Sequence, residues 1–441
     1  VASGTLPSGQ PVIVNADGTV SVIAAGASGF LGGTVFESAD SRTFSGAFDS
    51  NANSVVILYK DVGNSSYPTV VAGSVSGSSI SFGTPTVISS HTTSGTYACG
   101  AVVFDSSNNK VAIAYYGGSS ALFMGVVATV SGTSISLGGI TQLQAKRPDN
   151  ITGAFDSTNN KVVIAYKDSA DTKDGQVFVC TISGTSISAG SIVTFDTGGT
   201  GGVTDISTVF DSNAGKIVIS YRDPPTNDAA GTSIVGTVSG TTISFGSKVV
   251  FDTTYSYRIT SVFDSSSNKI IIAYADAFVS GSLIVVGTVS GTAISFGTPY
   301  RFNTVNTQHI RLIFDTQTNK PLLFYRVAGA AEVIGSVVNV SGTSASLGTP
   351  LTLAINPAGS QGAFNVVWDS TANKSVPAFS DTGNSGYGTS GVIAFPNSNL
   401  TAENFIGFSD GSVVQNILSQ ASGTPVQFEP DSVEYSATAY D

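Results

Sequence analysis

Charge is scarce in this 441-residue chain: 11% of its residues are Asp, Glu, Lys or Arg, and it has two histidines, two cysteines, one methionine and one tryptophan. Disorder needs low hydrophobicity with high net charge, and 41% of this chain is hydrophobic, so that class is excluded. Glutamate, lysine and leucine are few while valine, isoleucine and phenylalanine are plentiful, a balance that favours strands over helices. Cys99 and Cys180 sit in apolar stretches without metal-ligand spacing and read as buried free thiols. No apolar run reaches the ~18 residues of a membrane span, and Val1 opens no charged-then-apolar leader. The chain therefore reads as soluble, without membrane insertion. With 29 acidic against 18 basic residues and a formal charge of −11, polyphosphate would be approached against the mean field. Nucleic acid is not an expected partner.

What the chain has is repetition and 50 glycines. An aromatic-Asp anchor occurs seven times, at Phe48, Phe104, Phe155, Phe210, Phe263, Phe314 and Trp368, with separations of 56, 51, 55, 53, 51 and 54 residues. A period near fifty suits β-propeller blades and not the shorter solenoid repeats. Eleven places after each anchor stands another aromatic: Tyr59, Tyr115, Tyr166, Tyr221, Tyr274, Tyr325 and Phe379. The segment between is a hairpin of fixed length, and its second strand is an unbroken apolar run, as in Val162-Val163-Ile164-Ala165-Tyr166, the mark of a strand covered on both faces. Small residues before the anchor, such as Ser45-Gly46-Ala47, suit a crowded axis. A second hairpin turns at Gly77, Gly132, Gly184, Gly240, Gly291 and Gly342, and another glycine follows six residues later each time.

The expected fold is all-β: a seven-bladed propeller of four-stranded antiparallel blades over residues 29–396. The seventh unit diverges after Gly391-Val392-Ile393-Ala394-Phe395, whereas Leu31-Gly32-Gly33-Thr34-Val35-Phe36 resembles a fourth strand, so the N-terminal strand is expected to close the last blade. Residues 1–28 read as a β-hairpin appendage with an Asp17-Gly18 turn. Residues 397–441 are expected to pack near it as a C-terminal appendage.

All length differences fall in two loops at one end of each unit, and such loops on a rigid scaffold carry binding sites. The entries to the innermost strands supply the candidate ligand-binding residues Arg42, Tyr97, Asp149, Asn150, Asp205, Tyr257, Arg258, His309 and Arg311. Longer loops add Tyr67, Lys173, Asp174, Asp228, Tyr255 and Tyr387. Aromatic rings with planar hydrogen-bonding groups fit a sugar or a protein hot spot. The Asp after each anchor and the Asp thirteen places after it, as in Asp61 and Asp168, read as turn caps. No catalytic residue is assigned. Glutamate pairs are lacking for glycoside hydrolysis, and His91 and His309 read as loop residues without a metal-site spacing. Gly407-Phe408-Ser409-Asp410-Gly411 matches a hydrolase elbow only in letters. No cofactor or metal is expected.

The phrases Phe-Asp-Ser-x-x-Asn-Lys, Ile-Ala-Tyr-Lys/Arg-Asp and Thr-Val-Ser-Gly-Thr-x-Ile-Ser-Phe-Gly-Thr, with Leu6-Pro7-Ser8-Gly9-Gln10 and Leu400-Thr401-Ala402-Glu403-Asn404, make the chain resemble tail- and fibre-associated repeat proteins of marine bacteriophages. The resemblance implies a non-enzymatic virion protein whose terminal segments meet other tail or fibre subunits, with homo-oligomerisation open, and whose loop face meets a host-surface glycan or protein. An inert virion spacer is one alternative. A secreted propeller glycoside hydrolase or lectin is the other.

Overall fold

A computed structural model describes residues 11–14, 20–22, 28–93, 100–117, 122–170, 173–199, 201–223, 229–277, 281–305, 307–359, 362–395 and 407–408. The chain divides into two compact units, Val1–Gly29 with Ala394–Asp441, and Phe30–Ile393. In the first, the strands Pro11–Val14 and Val20–Val22 form an antiparallel hairpin, and Gly407–Phe408 adds to its other edge, pairing with Pro11 and Val12. The expected Asp17-Gly18 turn and most of residues 397–441 lie outside the described residues.

The larger unit is all-β, built from repeated four-stranded antiparallel sheets. Among the described residues it has no α-helix, only a 3-10 turn at Thr382–Asn384. The third repeat shows the pattern: Pro148–Asp156, Lys161–Asp168, Gly175–Ser183 and Ser186–Ala189 lie side by side in sequence order. The first turn follows from its sequence. Asp156 Oδ1 accepts the amides of Thr158 and Asn159, each at 3.0 Å, and Asn160 takes the left-handed conformation, φ 54°, which asparagine tolerates better than most residues. The second turn places Gly184 at φ 58° between Ser183 and Ser186. A positive φ at the first central residue alone is the type II′ pattern that matches strand twist.

The fourth strand differs from expectation, because it comes in two pieces. Ser186–Ala189 and Val193–Asp196 both pair with Gly175–Ser183, and Gly190 lies in the break. The cause is the neighbouring unit. A Cβ on Gly83, Gly138, Gly190, Gly246 or Gly297 would stand 2.0–2.1 Å from the carbonyl oxygen of Thr133, Thr185, Thr241, Thr292 or Thr343 respectively. Each threonine belongs to the tight turn of the next unit. The fixed glycine is thus a seat for that turn, and the ladder is interrupted to make it.

The core is a series of interfaces between sheets. Val162, Val163, Ile164, Ala165 and Tyr166 are at most 1% exposed, and one side of this run packs on the unit before it while the other packs on the unit after. An aromatic pair recurs at the junctions, Phe195 against Tyr221, Phe251 against Tyr274 and Phe302 against Tyr325, with centroids 5.1, 5.1 and 5.0 Å apart. The strand Gly29–Asp49 is exceptional in length. It lies between Tyr387–Ala394 and Ser54–Asp61 in one eight-stranded sheet, serving the last repeat with its first half and the first repeat with its second.

Candidate functional site

The innermost strands carry a shared irregularity. Five residues before the anchor, Thr43, Asn150, Asp205, Arg258 and His309 all adopt φ between 51° and 55°, and beside each the pairing with the second strand slips by a bulge. Left-handed backbone at a non-glycine residue costs about 1–3 kcal/mol and gathers where function holds it. The bulge turns successive side chains toward one place. A cavity of about 210 Å³ is lined by the first strands of six repeats, among them Asn150, Asp205, Arg258, His309, Arg311 and Asn365.

Asn150, Asp205 and Arg258 form a relay from unit to unit. The Asp205 amide donates to Asn150 Oδ1 at 3.0 Å, and the Arg258 amide donates to Asp205 Oδ1 at 2.7 Å. Arg258, with no acceptor to offer, instead donates from Nη1 to the Thr307 carbonyl of the next unit. Asp205 Oδ2 lies 3.6 Å from Arg222 Nη2. The bulge residues therefore staple neighbouring units and also wall the pit.

His309 was expected in a loop and lies within the strand Thr307–Asp315, 4% exposed, with a backbone hydrogen bond to Ala358. Its strand position follows from the bulge, which imitates a loop in the sequence by breaking the apolar alternation. Burial, reinforced by Arg311 and Arg326, pushes its pKa down to about 3. It is neutral in ordinary solution. Burial also lowers Arg311, to about 10, which leaves it charged.

The other candidates lie apart from the cavity wall. Arg42 is exposed and paired with Asp40 at 2.6 Å. Asp149 accepts the Asn150 amide at 2.9 Å and, with Asp205, acts on the partly buried Lys167, whose pKa burial lowers. The Tyr257 ring lies under the Arg258 guanidinium, 4.8 Å from centroid to Cζ, and edge-on to Tyr255. Tyr97 and Asp228 lie outside the described residues, as does Cys99, while Cys180 is a buried free thiol. Sequence reasoning missed Phe44 and Asn365 on the cavity wall and Arg326 beside His309. Asn365 was detectable, since it stands three places before its anchor, as Arg311 does before its own.

No family model and no curated protein matches the sequence. Solved structures similar in fold include the periplasmic gluconolactonase of Pseudomonas aeruginosa, at 8% identity and TM-score 0.45, covering 81% of this chain and 96% of that one. The Escherichia coli soluble aldose sugar dehydrogenase has 13% identity and TM-score 0.43, covering 68% and 96%. The β-propeller domain of Cps50 (Swd1) from Myceliophteria thermophila has 7% identity and TM-score 0.48, covering 82% and 98%. The expectation of a non-enzymatic virion-associated structural and host-recognition protein is corrected to this extent: the neighbours are lactonase, sugar-dehydrogenase and Swd1 propellers, none a tail or fibre protein, and the likeness is one of fold alone.

Proposed function

We propose that Phe30–Ile393 is a closed seven-bladed propeller and that the pit at its axis binds a carbohydrate-class ligand no larger than about one sugar ring, or one end of a longer chain. Closure is supported by the junction of last and first repeats. There Phe36 meets Tyr59 at 5.2 Å, as the outer aromatics do at other junctions, a Cβ on Gly46 would lie 2.9 Å from Val367 Cγ2, and Thr371 bonds Asn53 at 2.8 Å. The observation that carries the binding site is the recurrence of strained backbone at one register, with Asn150, Asp205, Arg258 and His309 all brought to a single cavity. Pockets for drug-sized ligands usually exceed ~300 Å³, so the occupant is small. Hydroxyl, amide and guanidinium groups around it suit a polyhydroxylated molecule.

The test is binding of a glycan panel to the purified protein, followed by titration of hits against Asn365→Ala and Thr260→Val, which alter the wall without touching the relay. Weakening by about tenfold, the worth of one well-made hydrogen bond, at unchanged melting temperature is expected. Binding indifferent to both changes would remove the pit from the reading.

A further inference from the structure

The pit reverses the charge of its own chain. The protein carries −11, yet Arg258 and Arg311 line the cavity with one carboxylate, Asp205, and Arg326 stands close enough to bear on His309. Asp205 is already committed to the Arg258 amide and to Arg222. Arg311 is not balanced. Among the described residues its guanidinium makes one hydrogen bond, from Nη1 to its neighbour's carbonyl at Ile310, 2.8 Å, and no ion pair. The corresponding position in other repeats holds Ser45, Ala101, Thr152, Ser207, Thr260 and Asn365. At that register one cation thus stands among small or neutral residues.

The remaining unpaired groups lean the same way. Asn150 Nδ2 and Arg258 Nε are buried donors without protein partners. Against them stands Asp205 Oδ2, which faces Arg222. A surplus of fixed donors around an uncompensated guanidinium is the complement of an oxyanion.

We infer that the pit recognises an anionic oxygen group on its ligand, a carboxylate or a sulfate or phosphate ester, with Arg311 as its charged partner and Asn150 as a neutral donor. This rests on the pit being the ligand site, and it narrows the ligand class from sugars in general to acidic ones.

Melting temperature is followed while sodium sulfate, sodium phosphate or methyl glucuronide is added against sodium chloride at matched ionic strength, and calorimetry compares methyl glucuronide with methyl glucoside. Expected is a saturable rise with at least one anion, uncharged glucoside binding about tenfold more weakly than glucuronide if the group is a carboxylate, and loss of the anion response in Arg311→Gln but not in Lys320→Gln on the opposite turns. A response to sulfate or phosphate without preference for glucuronide supports the inference with an ester as the source. Arg311→Gln should melt no lower than the parent, which separates lost binding from lost folding. No saturable response to any of the three, or a response that survives Arg311→Gln, overturns the inference. If glucoside and glucuronide then bind alike and Asn365→Ala weakens both, the sugar site stands without its anion preference; if Asn365→Ala changes neither, the site itself falls.

Discussion

A histidine sealed beside Arg311, Arg326 and Arg258 resists protonation, because burial and then those cations disfavour its charged form. Its ordinary pKa is 6.5 and its folded value about 3, so the unfolded chain takes up the proton first as pH falls. The stability supplied by neutral His309 is complete above pH 6.5 and drains away toward pH 3. Between pH 7.5 and 4.5 the parent should lose about 2–3 kcal/mol more than His309→Gln, read from urea unfolding at both values; parallel losses would contradict this. Asp205 gives a second prediction at the same scale. Asp205→Ala strands the buried Arg258 amide and should cost about 1–3 kcal/mol, whereas Asp205→Asn keeps the acceptor and should cost less, by the same unfolding measurement. Much of this was illegible in the sequence. The left-handed position is occupied by Thr, Asn, Asp, Arg and His in turn, and only Asn and Asp advertise tolerance of that backbone. The bulge lies where the first strands of six repeats line one cavity, which no single repeat reveals.

At the level of the element, the repeat's phrasing is a record of contacts made by the next repeat. The Asp-to-Asn turn was readable because its chemistry is local: Asp49, Asp105 and Asp264 accept amides two and three residues on, as Asp156 does. The glycine six places after the tight turn was readable in position but not in purpose, since its partner is a carbonyl about fifty residues away. Gly190 and Gly348 separate the two roles. Alanine at Gly190 drives Cβ to 2.0 Å from the Thr241 carbonyl, while at Gly348, which precedes the repeat whose sequence lacks the Ser-Gly-Thr phrase, the nearest atom is 3.6 Å away. Neither glycine has a positive φ. Gly190→Ala should therefore destabilise by about 1–3 kcal/mol as an overpacking change, and Gly348→Ala should be neutral or slightly stabilising through the unfolded chain. Equal melting temperatures for the two variants would show that the seat gives way freely.

For the molecule as a whole, stability has to come from neighbours, because each sheet buries its second strand only against the sheets on either side. The junction at the chain ends then decides whether any sheet is left bare. The N-terminal strand brings Phe36 to the Tyr59 ring and Glu37 Oε2 to the Tyr59 hydroxyl at 3.0 Å, and Thr34 Oγ1 donates to the Ile80 carbonyl at 3.1 Å. Gly391 has no room for a side chain there, since its Cβ would meet the Gly32 carbonyl at 2.1 Å. Removing residues 1–40 strips all of this and leaves Tyr387–Ala394 as an unpaired edge, which invites association with other chains. Removing only 1–28 leaves the strand in place. The shorter deletion should keep the parent's size and a melting temperature near the parent's; the longer should melt earlier and elute as larger oligomers by size-exclusion chromatography. A synthetic peptide of residues 28–41 added to the longer deletion should restore the parent's size, since binding to the folded form alone draws the equilibrium toward it. If both deletions melt together at the parent's size, the last junction bears no load, and the seven repeats stand as an open row whose end sheet tolerates water.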